Sequence, residues 1–190
     1  MLKSKLNPAT YADLEALPPN VVGEILFGVL HTHPRPAPRH GVAAGELQAE
    51  LTGPFRRGIG GPGGWIFIVE PELHLGPHVV VPDIGGWRRE RLSPFPETPY
   101  IETPPDWIAE ILSPTTQAVD RKDKLAIYAA SGVEYCWYVD PTARTLEVFA
   151  LTSGRWLLAA TYRDDDAVTA PPFDAHTFPL DVLWVGGGPG

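Results

Sequence analysis

The run Trp107-Ile-Ala-Glu-Ile-Leu112 decides the fold class of this 190-residue chain. It is short and apolar, which is typical of a strand buried within a sheet, and we predict a strand over residues 106–112. A helix is predicted over residues 122–131 and another strand over 133–139. A strand, a helix and a strand in this order imply a crossover between strands of one sheet. The sequence therefore predicts an α/β or α+β domain, in which a few helices pack on a mixed sheet.

Shorter elements flank this unit on both sides. Two helices are predicted over residues 8–17 and 41–55, and a hairpin that turns near Phe27-Gly28 lies between them. Further short strands follow from alternating apolar residues and turn signals. Their predicted spans are residues 65–70, 73–75, 79–84, 145–151 and 155–162, of which the last two form a hairpin around Ser153-Gly154.

Length and composition suit one globular domain. A chain of 190 residues that is 44% hydrophobic buries a core without covalent cross-links. We predict a single domain over residues 1–185 and a flexible glycine-rich tail over 186–190. Cys136 is the single cysteine, which excludes an internal disulfide. Because no signal peptide and no membrane-spanning run is recognisable, we expect a cytoplasmic protein with no membrane contact.

The formal net charge of −8 limits the classes of partner. A domain whose main task is to grip duplex DNA usually carries a basic footprint, and this chain does not. The charge therefore argues against strong, autonomous DNA binding. It does not exclude a nuclease, because carboxylates around a metal ion lower the net charge and the ion restores part of it locally.

Two carboxylates lie in or beside apolar strands. Glu110 lies inside the central run and faces the side opposite to Ala109 and Ile111. Asp83 ends the predicted strand over 79–84, directly after Pro82. Burial of a carboxylate is costly unless it is paired or metal-bound. The alternative for Glu110 is an edge strand or a solvent-facing position. Asp83 and Glu110 are 27 positions apart, which suits neighbouring strands joined by a loop.

Asp120 and Lys124 are four residues apart, on one face of the helix that follows. A solvated ion pair is the simple interpretation. Yet a lysine near a helix N-terminus interacts unfavourably with the helix dipole. This suggests that Lys124 has a role other than a surface ion pair. Two carboxylates and a lysine meet the needs of phosphodiester hydrolysis. The carboxylates hold Mg²⁺ or Mn²⁺, the metal activates a bound water, and the lysine orients that water or stabilises the transition state.

Four stretches together resemble the Uma-two family of restriction endonucleases, which belongs to the PD-(D/E)XK nuclease superfamily. The resemblance extends from about Tyr11 to about Trp184. The stretches are Val81-Pro-Asp83, Pro104-Pro-Asp-Trp-Ile-Ala-Glu-Ile-Leu-Ser-Pro-Thr-Thr116, Asp120-Arg-Lys-Asp-Lys124 and Gly132-Val-Glu-Tyr-Cys-Trp-Tyr-Val-Asp-Pro141.

This resemblance implies a restriction-endonuclease-like core, a divalent metal, DNA as the substrate and a possible homodimer. It assigns Asp83 and Glu110 as metal ligands. The superfamily lysine usually lies two residues after the acid, where this chain has Leu112, and the resemblance moves its role to Lys124. Lys122 is the rival for that role. Glu24 matches a family glutamate and is implied as an additional metal or water ligand.

Other candidates carry weaker signals. His40, Arg88 and Arg89 are predicted to contact substrate phosphates, and Lys122 joins them as a fourth candidate; the alternative for the arginines is a solvated loop. The glycines over residues 58–64 lack the Lys-Ser/Thr of a phosphate loop and lead into a strand, so we interpret them as a hairpin approach. His31 and His33 lack the partners of a zinc site.

Two functions remain open on the sequence. The first is a metal-dependent DNA endonuclease, favoured by the complete set of metal-centre residues. The second is a non-catalytic or regulatory module on the same fold, favoured by the acidic net charge, because fold alone does not fix function. For a homodimer, the aromatic hairpin around Trp156 and Tyr162 supplies either an interface or part of the core.

Overall fold

The computed structural model describes residues 7–34, 37–113 and 117–186. Its helices are α1 (Tyr11–Glu15), α2 (Pro38–Leu51), α3 (Gln117–Val119) and α4 (Leu125–Ala130), with π-helical turns at Thr52–Arg56 and Asp120–Lys124 and a 3-10 turn at Leu180–Leu183. Its strands are β1 (Val21–Leu26), β2 (Val29–Pro34), β3 (Trp65–Val69), β4 (Leu73–Leu75), β5 (His78–Val80), β6 (Ile84–Arg88), β7 (Trp107–Ile111), β8 (Tyr135–Asp140), β9 (Thr145–Thr152), β10 (Arg155–Arg163), β11 (Ala167–Val168) and β12 (Phe178–Pro179).

The largest sheet has six strands in the order β10-β9-β8-β7-β6-β3. β7 runs parallel to β8, with Glu110 opposite Tyr138, and antiparallel to β6, with Ile84 opposite Ala109. The parallel pair is joined through α3 and α4, because parallel neighbours need a crossover connection. This confirms the predicted mixed sheet and the α+β class, with β7 in its interior.

A second sheet has the order β2-β1-β5-β4. Its first two strands form the predicted hairpin, and the turn lies at Phe27-Gly28 as expected. Both turn residues have positive φ, 52° at Phe27 and 76° at Gly28, which is the geometry of a tight hairpin turn. The hairpin places Glu24 in the middle of β1, opposite His31 on β2.

The prediction of one continuous strand over residues 79–84 was wrong, because two separate strands share this segment. The chain leaves the second sheet after β5 and joins the six-stranded sheet at β6, so Asp83 lies in the connection between them. Pro82 explains the break, because proline has no N–H to donate to a strand ladder. The loop that joins β6 to β7 begins after Arg88, because Trp87 and Arg88 are the last residues of β6.

Two predicted helices also differ from the structure. The helix expected over 41–55 begins at Pro38, which suits the first helical turn, and changes to a π-helical turn around Pro54, which has no N–H for the regular bond. The helix expected over 122–131 begins at Gln117 and passes through the π-helical turn Asp120–Lys124. Apolar periodicity gave no signal for this earlier start, because the segment before Leu125 is polar.

The six-stranded sheet carries an apolar cluster on each face. Ala109 and Ile111 belong to the cluster that includes Trp137 and Phe173, whereas Ile108 belongs to the one that includes Tyr138. All five residues of β7 are buried. Alternation places Glu110 on the Ile108 face, so this carboxylate lies against the second cluster.

The hairpin of β9 and β10 contributes its aromatic residues to the core. Trp156 donates a hydrogen bond from Nε1 to the Leu125 carbonyl, and the Tyr162 hydroxyl donates to the Thr169 carbonyl. Both rings pack against the buried clusters. The homodimer stays a prediction. Of the predicted tail, only Gly186 lies within the described residues, and none of the described helices is long and apolar enough to span a bilayer.

Gly86 offers a test of how tightly the central sheet is packed. A Cβ added there would come within 2.9 Å of the Trp107 ring and 3.2 Å of the Phe67 ring, and both rings are buried. We expect Gly86→Ala to lower the free energy of unfolding by about 1–3 kcal/mol, measured by chemical denaturation. Gly45 on α2 has no atom within 4 Å of such a Cβ, so Gly45→Ala should instead raise stability by up to about 1 kcal/mol. Equal stability of the Gly86→Ala protein and the wild type would contradict this packing.

Candidate active site

Four carboxylates and one lysine converge where the two sheets meet. We call Glu24, Asp83, Glu110 and Asp120 the carboxylate cluster. β1 supplies Glu24, the connection before β6 supplies Asp83, β7 supplies Glu110, and the π-helical turn supplies Asp120 and Lys124. All but Asp83 are buried. Residues far apart in the sequence are thus brought into one polar site between apolar clusters.

Lys124 is the centre of this arrangement. Its Nζ lies 2.8 Å from Glu110 Oε1, 3.2 Å from Glu24 Oε1 and 3.4 Å from Asp120 Oδ1. It also donates to the Val81 carbonyl at 3.2 Å. The lysine is only 2% exposed, so the solvated ion pair that sequence spacing suggested for Asp120 and Lys124 was wrong. Ion pairs, not the helix dipole, account for a lysine at this position.

Glu110 is a buried carboxylate with two strong partners. Besides Lys124, the Tyr128 hydroxyl donates to its Oε1 at 2.7 Å. Burial raises the pKa of Glu110 well above its usual range; Lys124 opposes this shift, and the charges of Asp120, Asp83 and Glu24 reinforce it. The edge-strand or solvent-facing alternative for Glu110 was therefore wrong, because the residue is 2% exposed between β6 and β8.

Asp83 joins the site from the solvent side. Its Oδ2 accepts a hydrogen bond from the Ile111 N–H at 2.6 Å, directly beside Glu110. His40 Nε2 lies 3.1 Å from Asp83 Oδ1. Burial lowers the pKa of His40, but the hydrogen bond and charge of Asp83 outweigh it, so the pKa is raised. The pairing favours the charged imidazolium next to the one partly exposed carboxylate.

Glu24 connects the second sheet to the site. Its Oε1 accepts from the Val81 N–H at 2.7 Å and lies 3.2 Å from Lys124 Nζ. Its Oε2 lies 3.8 Å from His33 Nε2. Val81 therefore contacts both Glu24 and Lys124 through its main chain, which positions the two side chains against each other just before Asp83.

The donor set has the chemistry of a magnesium or manganese site, because those ions prefer carboxylate oxygens. One ammonium faces four carboxylates, and a divalent cation would offset the excess negative charge. In the described ranges 7–34, 37–113 and 117–186, no three acidic, histidine or cysteine side chains are spaced to hold one ion. Glu24, Glu110 and Asp120 converge on Lys124 Nζ instead. Burial lowers the pKa of Lys124, but Glu110, Glu24 and Asp120 raise it well above its usual value.

The remaining predicted contact residues are placed differently. Lys122 is exposed on the π-helical turn, whereas Lys124 reaches the cluster. Arg88 forms ion pairs with Asp106 at 3.2 Å and Glu134 at 3.1 Å. Arg88 is the last residue of β6 and Arg89 follows it, at the end of the strand that is opposite to Asp83. Of the four predicted substrate contacts, only His40 is brought to the carboxylate cluster in the described structure.

Sequence reasoning missed two members of the site. Asp120 was predicted only as a partner of Lys124, and Tyr128 was not predicted as a site residue. A usable signal existed for Tyr128, since it lies four residues after Lys124 and shares its helix face. The site is therefore more enclosed than a simple pair of carboxylates with a lysine.

Comparison with known proteins fits this geometry. A family model described as "Putative restriction endonuclease" matches residues 8–182, a range that contains every residue of the site. The chain belongs to the Uma-two family. The Uma-two chain also superposes on the crystal structure of a protein from Anabaena variabilis described as a "putative nuclease".

That superposition has a TM-score of 0.73 and 22% sequence identity, and it covers 93% of the Uma-two chain and 97% of the other. At this identity the likeness shows the fold alone, which is therefore the fold of a protein named as a nuclease. The search of curated proteins returns no match. Family and fold together support a nuclease.

The raised pKa of His40 predicts a pH-dependent contribution to stability. A folded-state pKa above the unfolded value of about 6.5 means that the contribution is complete below that value and is lost as pH rises through the folded pKa. We expect the wild type to exceed His40→Gln in free energy of unfolding by an amount that shrinks as the pH rises above about 6.5. Chemical denaturation across this range, without divalent cations, measures it.

His78 provides the matched control for this measurement. Burial lowers its pKa, so its contribution is complete above the unfolded pKa and is lost as pH falls. The difference between the wild type and His78→Gln should therefore change with pH in the opposite sense. The same trend for both variants would contradict the role of Asp83 in raising the pKa of His40.

Proposed function

We propose that this protein is an endonuclease that hydrolyses phosphodiester bonds of DNA with Mg²⁺ or Mn²⁺. One observation carries the proposal: Lys124 Nζ lies 2.8 Å from Glu110, and Asp83 is held by the main chain of Ile111 beside it. Two carboxylates and a lysine from three separate elements thus share one site. Membership of the Uma-two family supports the same reaction.

Asp83 and Glu110 are the proposed metal ligands, with Glu24 as an additional one. A bound divalent cation supplies Lewis acidity towards the phosphoryl oxygen and a water of lowered pKa. Asp83 is the most exposed of the three, with 17% of its side chain accessible, so it is the carboxylate that a phosphate entering from solvent meets first. His40, beside it, adds a cation that attracts the phosphate.

Lys124 acts in this proposal as a cation and not as a base. Its neighbours raise its pKa well above the usual value, so it stays an ammonium at neutral pH. An ammonium donates hydrogen bonds and has no free electron pair with which to accept a proton from water. Lys124 therefore orients the attacking water and offsets charge that develops on the phosphoryl oxygens. The Tyr128 hydroxyl donates a hydrogen bond to the same Glu110 oxygen and so helps to hold the carboxylate in place.

A non-catalytic binding module is the second candidate. The observation that favours it is the saturation of the carboxylates: Glu110 Oε1 accepts from Tyr128 and Lys124, and Glu24 Oε1 from Val81 and Lys124. Ligation by these oxygens requires Lys124 to shift. The net charge of −8 also argues against tight, autonomous binding of duplex DNA. Catalysis assays separate the two functions.

Glu110→Ala is the direct test of the endonuclease. We expect Mg²⁺- or Mn²⁺-dependent cleavage of plasmid DNA to fall more than roughly 100-fold. Loss of a residue that only supports a metal ligand costs roughly 10- to 100-fold, and here the proposed ligand itself is removed. Asp83→Ala should behave alike, and both should lose metal binding in calorimetry. Glu46→Ala, an exposed carboxylate on α2, is the control and should cleave as the wild type does. Equal cleavage by Glu110→Ala and the control would refute the catalytic assignment.

Lys124 and Lys122 are separated by a second comparison. Lys124→Ala should retain metal binding by calorimetry, because it removes a competitor for the carboxylates, while turnover falls by about 10²–10³. Lys122→Ala should retain both. Removal of a buried charge leaves its partners uncompensated and destabilises the protein. Lys124→Met, which preserves the side-chain volume, is therefore measured beside Lys124→Ala, after both variants are shown to be folded. Lost turnover in Lys122→Ala and normal turnover in the Lys124 variants would reverse the assignment.

A further inference from the structure

A cavity lined by arginines lies away from the carboxylate cluster. It has a volume of about 560 Å³, and its walls include Arg56, Arg57 and Arg89 together with the glycine-rich segment after Arg57. Arg56 ends the first π-helical turn, and Arg89 directly follows β6. Two segments that are more than thirty residues apart in the sequence thus place three guanidinium groups around one opening. We call this opening the arginine cavity.

Hydrogen bonds hold the two walls of the cavity together. The Arg89 N–H donates to the Gly64 carbonyl at 2.8 Å, and the Arg89 guanidinium donates to the Arg56 carbonyl at 3.0 Å. Gly58 and Gly63 have φ of 71° and 68°, a backbone conformation that side chains rarely adopt and that brings the chain close to the cavity. The arrangement is therefore a fixed feature of the fold.

The three arginines of the cavity form no ion pair with any described residue. Across residues 7–34, 37–113 and 117–186, no carboxylate lies within the 4.0 Å of an ion pair from Arg56, Arg57 or Arg89. By contrast, Arg88 and Arg91 both pair with Asp106. Glu90 lines the cavity without forming such a pair. Three arginines without a carboxylate partner among the described residues thus lie around one opening, in a chain of net charge −8.

We infer that the arginine cavity binds phosphate groups of a nucleic acid backbone, at a distance from the bond that is cleaved. Guanidinium groups match phosphate oxygens in pairs of parallel hydrogen bonds. The cavity is open to solvent and lined by charged side chains, whereas a site for a drug-sized ligand is an enclosed cleft. A backbone phosphate needs only a charged surface of this kind, since such contacts position a nucleic acid without reading its bases.

The separation between the two sites fits a polymeric ligand. Asp83 directly precedes β6 and Arg89 directly follows it, so the six residue-to-residue steps between them span roughly 20 Å of extended chain. That length corresponds to about six base-pair steps of duplex DNA. One nucleic acid molecule therefore reaches both sites, whereas a small phosphodiester reaches one at a time. The identity of the polymer rests on the proposed function, but phosphate binding does not.

Binding without cleavage tests this inference by itself. The probe is a fluorescein-labelled DNA duplex of about 20 base pairs, several times the length between the sites, and anisotropy is measured in EDTA over a range of salt concentrations. Arg57→Gln and Arg89→Gln should each weaken binding roughly tenfold, as expected for loss of a charged hydrogen bond. Each should also lower the salt slope by about one. Arg155→Gln, an exposed arginine that begins β10, removes the same charge elsewhere and should bind as the wild type does.

Further arms of the experiment identify the source of the phosphate. Inorganic phosphate should compete only weakly with the duplex; competition at equal concentrations would mean a site for free phosphate and would overturn the inference. Unchanged binding by Arg57→Gln and Arg89→Gln, or equal losses in Arg155→Gln, would overturn it too. Among the described residues, the Arg57 guanidinium donates no hydrogen bond to a main-chain carbonyl as that of Arg89 does to Arg56, so the Arg57 variant tests the charge without loosening the loop.

Cleavage kinetics distinguish this inference from the proposed function. In Mg²⁺ or Mn²⁺, Arg57→Gln should raise KM for duplex DNA and leave the turnover of bis(p-nitrophenyl) phosphate unchanged, because that small diester does not reach both sites. Glu110→Gln should abolish both reactions and leave duplex binding in EDTA intact. Absent cleavage with arginine-dependent binding would defeat the endonuclease alone. Normal cleavage with binding that is independent of the arginines would defeat the arginine cavity alone.

Discussion

The ion pairs that Lys124 forms with Glu110 on β7 and Glu24 on β1 connect the two sheets. An ammonium and a carboxylate taken out of water each lose several kcal/mol of solvation, and only close partners return it. Glu24 and Asp120 complete the neighbours of Lys124, so β1, β7 and the π-helical turn are tied to one nitrogen atom. Removing one partner of such a buried group costs about 3–5 kcal/mol, because the remaining charge is left uncompensated. The residues of the candidate active site therefore also hold these elements together.

β7 allows these ion pairs because its two faces contact different surroundings. One face contributes Ala109 and Ile111 to the aromatic core, while the other offers Glu110 between Ile108 and the crossover helix. The strand pairs on both edges, so the register of Glu110 is fixed by main-chain bonds on either side. A one-residue slip would turn the carboxylate into the opposite, fully apolar cluster. The sheet therefore positions the carboxylate more firmly than any loop would.

Sequence reasoning reached the class of fold and the residues whose chemistry conflicts with their surroundings. Glu110 was recognisable because a charge interrupts an apolar run, and Lys124 because it opposes a helix dipole. The break after β5 was not recognisable, since Val79, Val80 and Val81 continue the apolar pattern up to Pro82. Nor did the sequence indicate that Arg56 and Arg89 share a cavity. Their proximity comes from the pairing of β3 with β6 and from glycine conformations, which single-sequence patterns do not encode.

The π-helical turn Asp120–Lys124 has a consequence for how this segment tolerates change. Lys122 is exposed there, and substitutions at such a position leave the buried contacts in place. The number of residues in the turn is a different matter. A π-helical turn contains one residue more than an α-helical turn, so the loss of one residue would change the register between Asp120 and Lys124, while Lys124 and Tyr128 kept their mutual spacing. The segment therefore tolerates substitution of its exposed side chains but not insertion or deletion of residues.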